Sequence, residues 1–389
     1  MAAPPKYVRQ ILFTLQGRGH TAFLMGECVR DLLLEKRPHA WQLCTSARPE
    51  ELLSLFPLSR VLEGAVTIVL GNHELEALCL WPEGEGRSEE RVAFVGALTE
   101  ALGQRDFTIN AVALSADGLL ADPFGGLADI REKRLRCVGE AGERFAREPA
   151  AMLRALRLSA KLGFTLEIST LLAIEEHAAL AEALPAERVR DELETILLSD
   201  APETVLPLTE LGLLDRFLRD RPPAHPGWRR LRKLPRRALQ RWAGFAVLLE
   251  RLGAITSAEG FLRALRLDSR TIRLCAGVNE LLRGPLPETP LAWKKALRRY
   301  EVPGVSCAAD VSDALYGGQS RKALRAVLRS GECFSLKHLA VSGDDLLALG
   351  LRGREIGDML QFLLDYVMEF PENNQRELLL TLAGGGSEE

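Results

Sequence analysis

Paired cysteine spacings, which would indicate a zinc site or a disulfide framework, do not occur in this sequence of 389 residues. Both kinds of site show characteristic short spacings between cysteines. Here the cysteines are isolated and odd in number; they are Cys28, Cys44, Cys79, Cys137, Cys275, Cys307 and Cys333. The sequence therefore predicts neither site, and the expected compartment is a reducing cytoplasm.

Long apolar runs are also lacking. No run reaches the ~18 residues that a membrane-spanning helix needs, and the first residues do not show the charged-then-apolar order of a signal peptide. We therefore expect no membrane partner. Hydrophobic content of 47% and charged content of 26% are typical of globular proteins, and the length predicts several modules rather than one core.

A large net charge is missing as well, since the formal value is only -3. The basic residues are nevertheless uneven, with three clusters at 216–241, 294–299 and 321–329. Basic surface attracts phosphate backbones, although any single cluster is equally typical of a solvated helix face. Three clusters in one half of the chain favour RNA. The RNA-binding candidates are Arg229, Arg230, Arg232, Lys233, Arg236, Arg237, Lys294, Lys295, Arg298 and Arg299.

Apolar patterning changes in character along the chain. The stretch His20–Gly26 reads as a buried strand that ends at a glycine and is followed by a helix. Gly71-Asn72 between two apolar runs predicts a β-hairpin, and the polar stretch 82–90 predicts a loop. From Glu148 onward the pattern is almost entirely helical. The fold class is therefore predicted to be α+β, with a small mixed sheet near the N-terminus followed by helices.

Several sequence words occur here in a fixed order and resemble the class II tRNA nucleotidyltransferases (CCA-adding enzymes) and bacterial poly(A) polymerases. They are Gly26-Glu-Cys-Val-Arg-Asp31, Thr45-Ser46, Arg105-Asp-Phe-Thr-Ile-Asn-Ala111, Asp122-Pro-Phe-Gly-Gly126, Leu153-Arg-Ala-Leu-Arg157, Leu162-Gly-Phe164, Glu187-Arg-Val-Arg-Asp-Glu-Leu193 and Gly212-Leu-Leu214. The C-terminal words Gly343-Asp-Asp-Leu346, Leu349-Gly350 and Glu355-Ile-Gly357 are similar to the tail of the bacterial CCA-adding branch. The resemblance covers essentially the whole chain.

This resemblance implies a nucleotidyltransferase head with a five-stranded sheet, followed by a helical neck, body and tail. The predicted boundaries are 1–140 for the head, 141–200 for the neck, 201–330 for the basic body and 331–383 for the tail, with a disordered C-terminus at 384–389. Family members add C, C and A to tRNA 3′ ends, or A to other RNAs, without a nucleic-acid template. The implied partner is RNA, either tRNA or a tRNA-like 3′ end.

The catalytic metal ligands of the family are missing at the matching positions. Nucleotidyl transfer needs anionic oxygens that hold two magnesium ions about 3.5–4 Å apart, and the family supplies them as an Asp-x-Asp pair before a Thr-Ser turn. Here that pair reads Ala40 and Gln42. A methyl group cannot bind magnesium, and a neutral amide is a poor substitute for a carboxylate. No intact catalytic residue, metal or cofactor is predicted; magnesium with CTP and ATP would be required only by an active enzyme.

The nucleotide-binding words are partly altered. In the family's Gly-Gly-x-Val-Arg-Asp loop the second glycine is replaced by Glu27, which places negative charge where a triphosphate would sit. The remaining candidates for nucleotide or phosphate binding are Gly26, Arg30, Asp31, Arg105, Asp106, Asn110, Arg154 and Arg157. Arg30 and Asp31 could instead form a structural pair, and Asn110 could brace the loop or meet a sugar.

The nucleotide-selecting motif of the neck helix, Glu-Asp-x-x-Arg in the family, is also degenerate. Here its acid is Glu148, one methylene longer, and its arginine is replaced by Ala151. A pocket that reads base edges loses selectivity when its hydrogen-bonding groups are removed. Arg154 and Arg157 match arginines of the same helix and are phosphate-binding candidates, although a solvated helix face would show the same pattern.

Two tryptophans and two acidic residues allow alternative structural or metal-binding roles. Trp41 and Trp81 could be core aromatics or could fill a vacated nucleotide cleft, and core or rim packing is the commoner fate. Glu76 and Asp106 are acids that could recruit a metal in a new geometry, although a two-metal site tolerates little displacement of its ligands.

The sequence therefore predicts a pseudoenzyme of this family that binds RNA 3′ ends, with an active paralogue as a conceivable partner. One alternative is an active CCA- or A-adding enzyme with relocated metal ligands. The other is a helical protein-interaction scaffold without RNA binding. Extension of a tRNA that lacks CCA separates the first two, and salt dependence of tRNA affinity separates the third.

Overall fold

The computed structural model describes residues 3–62, 65–80 and 87–385, and the chain divides into two compact units. The first unit is Met1–Leu184 with Leu211–Leu213, and the second is Pro185–Glu210 with Leu214–Glu389. The predicted division into head, neck, body and tail stays a prediction. Within the described ranges, no helix is long and apolar enough to cross a membrane.

The first unit contains the strands. They are β1 Ala22–Met25, β2 Gln42–Thr45, β3 Arg60–Leu62, β4 Ala65–Leu70, β5 His73–Cys79, β6 Ala113–Ser115, β7 Leu120–Ala121, β8 Arg134–Leu135 and β9 Thr165–Leu166. Its helices are α1 Lys6–Gly17, α2 Glu27–Leu33, α3 Pro49–Leu55, α4 Arg87–Gly103, α5 Gly126–Glu132, α6 Ala141–Arg147, α7 Ala150–Leu162 and α8 Ile168–His177. The predicted β-type head followed by helices is confirmed.

The main sheet is mixed and has the order β3-β4-β5-β2-β1-β6-β7. Only the β2–β5 pair is parallel among these described strands. The sheet has seven strands where the resemblance implies five, and the strands at its two edges, β3 and β7, are only three and two residues long. Short edge strands offer little backbone for pairing with another chain. The strands β8 and β9 form a separate parallel pair, so the region predicted as neck is not wholly helical.

The two faces of the sheet carry different side chains because residues alternate along a strand. On one face Trp41 and Leu43 join a core with Val8, Ile11 and Val29 of the covering helices. On the other face Cys44 packs with a set that includes Met25 and residues of α4, namely Phe94, Leu98 and Leu102. Trp41 is therefore a core residue on the face opposite Gln42, and it does not fill a nucleotide cleft.

The predicted turns are mostly confirmed. Gly71-Asn72 joins β4 to β5, whose register pairs Leu70 with His73. The polar stretch 82–90 is only partly described: α4 already begins at Arg87, which corrects the predicted loop for residues 87–90, because a polar stretch is as compatible with an exposed helix as with a loop. Trp81 and residues 82–86 lie outside the described residues.

The described residues of the second unit form helices joined by turns and irregular segments, without strands. Its helices are α9 Ala186–Leu197, α10 Val205–Glu210, α11 Gly227–Arg230, α12 Ala238–Arg251, α13 Ala258–Ala264, α14 Ser269–Leu282, α15 Pro290–Leu315, α16 Ser320–Ser330, α17 Gly343–Ala348, α18 Arg354–Glu369 and α19 Arg376–Gly384. Helix α12 is buried on nearly every side from Gln240 to Leu249 and packs against α14 and α15. A further apolar cluster, which includes Leu346, Leu363, Val367 and Leu379, joins α17, α18 and α19.

The predicted disordered C-terminus, residues 384–389, overlaps the last residue of helix α19. Gly384 is the final residue of α19, which corrects the predicted boundary at that residue, because a glycine is tolerated in the last turn of a helix. Residues 386–389 lie outside the described residues.

Candidate functional site

The two positions predicted to match the family's metal ligands lie at the start of β2. Ala40 precedes the strand and is exposed, whereas Gln42 is its first residue and is half-buried. The Gln42 Oε1 atom accepts a hydrogen bond of 2.6 Å from Nη2 of Arg105. The Gln42 side chain is a neutral amide that is hydrogen-bonded to Arg105, and the Ala40 side chain is a methyl group. Neither position therefore supplies an anionic oxygen. The residues present at these two positions therefore do not fit a magnesium ion.

Gly26 completes the same small cluster. Its φ of 82° lies in the left-handed region that favours glycine. A Cβ atom at this position would lie 3.3 Å from Gln42 Oε1 and 3.7 Å from Arg105 Nη1. The close approach of the Gly26 backbone thus brings β1, β2 and the segment after α4 together.

Arg105 is positioned by a residue that the sequence analysis missed. Arg144 of α6 is buried, and its Nη1 and Nη2 atoms donate to the carbonyl oxygens of Gln104 and Gly103 at 3.0 and 2.9 Å. These carbonyls lie at the end of α4, where helices leave acceptors unsatisfied and favour cations. No local pattern distinguishes Arg144 from an ordinary surface arginine, since its acceptors lie 40 and 41 residues away.

Arg30 and Asp31 form a buried pair. The Nε and Nη2 atoms of Arg30 donate to Asp31 Oδ1 at 2.9 and 2.7 Å, and Nη1 donates to Asn110 Oδ1 at 2.8 Å. Arg30 is 0% exposed and Asn110 is 4% exposed. Both brace the loop, so neither presents a free group to a nucleotide. This corrects their assignment as nucleotide-binding candidates and supports the structural alternative.

Asp106 is fully engaged by hydrogen-bond donors. Its Oδ1 accepts from the Phe107 amide at 2.9 Å and from Asn110 Nδ2 at 3.2 Å, and its Oδ2 accepts from Arg154 Nη1 at 2.7 Å. Both carboxylate oxygens are thus occupied by the protein itself. Glu76, the other acid considered for a relocated metal site, is exposed on β5 in register with Gln42.

Arg154 joins Asp106 to the altered nucleotide-selecting motif. Its Nη2 atom donates to Glu148 Oε1 at 2.7 Å, and its side chain is only 18% exposed. Burial alone would lower the pKa of Arg154, but hydrogen bonds from its guanidinium to Asp106 and Glu148 outweigh burial and raise that pKa above its usual value. Arg154 is therefore not a solvated face residue, and its charge is already balanced by two carboxylates.

The remaining positions of this motif offer little to a base edge. Ala151 is completely buried in α7, and Glu148 is held by Arg154. Arg157 is half-buried and has an interaction within the chain. Among the described residues, no group of three or more His, Cys, Asp or Glu side chains is arranged to hold a metal ion.

Comparisons with known proteins agree with this architecture. Residues 22–136 match the family described as "Poly A polymerase head domain". Residues 163–225 match the one described as "Probable RNA and SrmB- binding site of polymerase A". A CCA-adding enzyme of Geobacillus sp. (strain WCH70) is 33% identical over 89% of this chain and 88% of its own length. A CCA-adding enzyme of Limosilactobacillus fermentum is 30% identical over 97% of this chain and 96% of its own length. The chain belongs to the tRNA nucleotidyltransferase family.

Solved structures of the family show the same fold. The structure of a Bacillus stearothermophilus CCA-adding enzyme in complex with CTP has a TM-score of 0.79 and 26% identity, and the match covers 99% of this chain and 98% of that one. The family recognised from the ordered sequence words is thereby confirmed.

The RNA-binding candidates of the second unit differ in their exposure and in their partners within the chain. Lys294 is 2% exposed, and its Nζ atom donates to the Met368 carbonyl oxygen at 2.8 Å and pairs with Glu332. Its assignment as an RNA contact is corrected, because a buried ammonium cannot reach a phosphate. The others are exposed, but Arg230 donates to the Leu315 carbonyl oxygen.

Four further candidates are tied to acids. The pairs are Arg232 with Glu203, Arg236 with Asp200, Arg298 with Asp365 and Arg299 with Glu280. Arg229, Lys233, Arg237 and Lys295 are exposed and have no side-chain partner among the described residues. These four side chains remain candidates for phosphate contacts.

Proposed function

We propose that this chain is a non-catalytic member of its family that still binds RNA, with the 3′ end of tRNA or a related structured RNA as its ligand. The observation that carries the loss of catalysis is that neither Ala40 nor Gln42 offers an anionic oxygen, and that the Gln42 amide oxygen already accepts a hydrogen bond from Arg105. In the family, carboxylates at this strand bind the metal ions, whereas here the Arg105 guanidinium is hydrogen-bonded to the neutral amide of Gln42.

Retained RNA binding is supported by three observations. The relatives named above are CCA-adding enzymes, and one family model that matches is described as an RNA-binding region. The second unit also presents unpaired, exposed basic side chains at Arg229, Lys233, Arg237 and Lys295, as judged over its described residues. Such side chains neutralise phosphates and position a nucleic acid without reading its sequence.

Loss of base selection follows from the neck helix. The position that carries an arginine in the family is the buried Ala151, and the acid next to it, Glu148, is held by Arg154. A base edge in this pocket would meet fewer hydrogen-bonding groups, and selectivity falls when such groups are removed. Even if nucleotide enters, C and A should be poorly distinguished.

The deciding experiment is an extension assay. Purified protein is incubated with magnesium, CTP, ATP and a tRNA that lacks its terminal CCA, with the Limosilactobacillus fermentum CCA-adding enzyme as the positive control. We expect no product above the level of a reaction without enzyme. Extension above that level by this chain would show that it is an active enzyme with relocated metal ligands.

A double variant, Ala40→Asp with Gln42→Asp, tests the assignment of these two positions. The two carboxylates should allow magnesium to bind at β2, which isothermal titration calorimetry can detect. Restored extension is not required, because Glu27 and Ala151 remain altered. A double variant with magnesium affinity equal to that of the unmodified chain would show that these positions are not the ligand positions.

A further inference from the structure

A second cleft of the first unit lies away from the cluster of Gly26, Gln42 and Arg105, none of which lines it. It is formed by the start of α1, the segment between α2 and β2, and the first residue of β5. Trp41 contributes a small exposed part and packs in the core on the face opposite Gln42. The volume of about 820 Å³ falls within the roughly 300–1,000 Å³ of small-molecule sites. The cleft is therefore large enough for a ligand of nucleotide size.

Two aromatic rings meet in this cleft. The rings of Tyr7 and His73 are stacked, with their centroids 3.9 Å apart and their planes at 7° to each other. Tyr7 is half-buried and His73 is exposed. Stacking covers only one face of the His73 ring, so a further planar ring can be added to the stack. Nucleic-acid bases stack on accessible aromatic side chains of this kind.

The charges around the two rings favour an anion. Lys36 and Arg37 line the cleft and are exposed, and neither makes a side-chain hydrogen bond or ion pair within the described residues. Glu35 is the one acid among the described lining residues, and it has an interaction within the chain. Burial raises the pKa of the Tyr7 hydroxyl, and the charge of Arg37 opposes that rise. The guanidinium and the aromatic stack therefore belong to the same site.

The backbone that carries these cations is fixed by the end of α2. Glu35 has a φ of 56°, in the left-handed region that usually holds glycine. Its amide donates to the Leu32 carbonyl oxygen at 3.1 Å, and the Lys36 amide donates to the Asp31 carbonyl oxygen at 2.8 Å. Helices commonly end in such a left-handed turn. The turn sets where Lys36 and Arg37 leave the helix.

We propose that this cleft, named here the Tyr7–His73 cleft, binds a nucleotide whose base stacks on His73 and whose phosphate contacts Arg37 and Lys36. A planar fork of N–H donors matches the oxygens of a phosphate group. The nucleotide is either free or part of single-stranded RNA, since both present the same ring and the same anion. The inference does not depend on the proposed loss of catalysis and adds a second ligand site to the first unit.

The test measures binding to the full chain by isothermal titration calorimetry in EDTA, with two pairs of probes. One pair is AMP and ribose 5-phosphate, and the other is an RNA of five adenylates and the same oligonucleotide without bases. We expect the probe with bases to bind at least fivefold more tightly, the gain from one stacked base. A preference within the AMP pair identifies a free nucleotide, and a preference within the RNA pair alone identifies single-stranded RNA. No preference within either pair would overturn the proposal.

Variants locate the binding, using the probe that shows the preference. His73→Ala should weaken it about fivefold or more, whereas His73→Phe should retain it because the ring remains. Arg37→Ala should weaken it by about tenfold at low salt, the loss of one hydrogen bond to a charged group. Arg18→Ala is the matched control, since Arg18 is an exposed arginine at the opposite end of α1.

Thermal melting checks that each variant is folded. Equal affinities of the His73→Ala, Arg37→Ala and Arg18→Ala variants would show that the ligand does not occupy this cleft. Binding that responds to Arg105→Ala but not to His73→Ala would place the ligand at the predicted nucleotide site and would also overturn the proposal. The extension assay tests the loss of catalysis separately, so the two proposals can fail independently.

Discussion

Single residues decide which charges of the first unit are available to a ligand. Asp106, Arg154 and Glu148 form a continuous chain of hydrogen bonds, and Arg30, Asp31 and Asn110 extend it into the buried loop. Glu148 looked like a weakened base-reading acid in the sequence. In the structure its carboxylate pairs with the Arg154 guanidinium.

The pairing of Arg154 can be measured through stability. Arg154→Ala leaves the Asp106 carboxylate, which is only 11% exposed, without its cation. We expect the free energy of unfolding to fall by roughly 2–4 kcal/mol, because breaking a largely buried pair strands a charge. Arg60→Ala removes a pair that is 55% exposed on both sides, and should cost about 0–1 kcal/mol. Urea denaturation of the two variants compares these costs, and equal costs would contradict the role given to Arg154.

At the level of elements, Asp129 ties α5 to β8 and to the 3₁₀ turn Thr108–Asn110. Its side chain is completely buried, and it accepts hydrogen bonds from Thr108 Oγ1, Arg134 Nε and Arg136 Nε at 2.6, 2.6 and 3.0 Å. The contact also needs Gly126, because a Cβ there would lie 2.1 Å from the Thr108 carbonyl oxygen. Gly126 ends one of the sequence words that carry the resemblance, whereas no sequence pattern identified Asp129.

The carboxylate of Asp129 should make stability depend on pH. Burial alone would raise its pKa, but hydrogen bonds from Thr108, Arg134 and Arg136 outweigh burial and hold the pKa below its usual value. A depressed pKa stabilises the folded state at pH above the unfolded value of about 3.9, and this contribution is lost as pH falls through the folded pKa. We expect Asp129→Asn to be less stable than the unmodified chain at pH 7, with a difference that shrinks below about pH 4. Thermal melting across pH measures this difference, and a constant difference would contradict the assignment.

At the level of the whole molecule, two compact units carry different parts of the proposed function. The first unit contains the predicted nucleotide site, and the second contains the exposed basic side chains that remain candidates for phosphate contacts. Many basic residues of the second unit are neutralised within it, for example Arg273 by Glu301, Arg283 by Glu250 and Arg299 by Glu280. Local charge density in the sequence therefore overestimates the surface that RNA can use.

Binding of tRNA at several salt concentrations tests whether the unpaired basic side chains, rather than the acid-paired ones, contact RNA. Replacing Arg229, Lys233 and Arg237 together by Ala should weaken binding and reduce the slope of log affinity against log salt by up to about 0.7–0.9 for each phosphate that is no longer neutralised. The matched control replaces the acid-paired Arg273, Arg283 and Arg299, which should change the slope less. An affinity for tRNA that does not respond to salt would favour the protein-interaction scaffold.

The α+β fold and the family could be predicted because they depend on local signals. The strand before Gly26, the Gly71-Asn72 turn and the helical periodicity after Glu148 are encoded in short windows, and the ordered words span the chain. The missing carboxylates at Ala40 and Gln42 could also be read directly. The partners of charged side chains could not be predicted, because Arg105 meets Gln42 across 63 residues and Lys294 meets Met368 across 74.

The sequence by itself determined the family, the α+β character with strands before helices, and the absence of a carboxylate pair at Ala40 and Gln42, since each depends on residue identity and local periodicity. Only the tertiary structure decided that Arg30, Asn110 and Lys294 are buried and that Arg105 donates a hydrogen bond to the Gln42 amide. Burial and pairing depend on which distant segments pack together, and the free energy of a charged group depends on those neighbours.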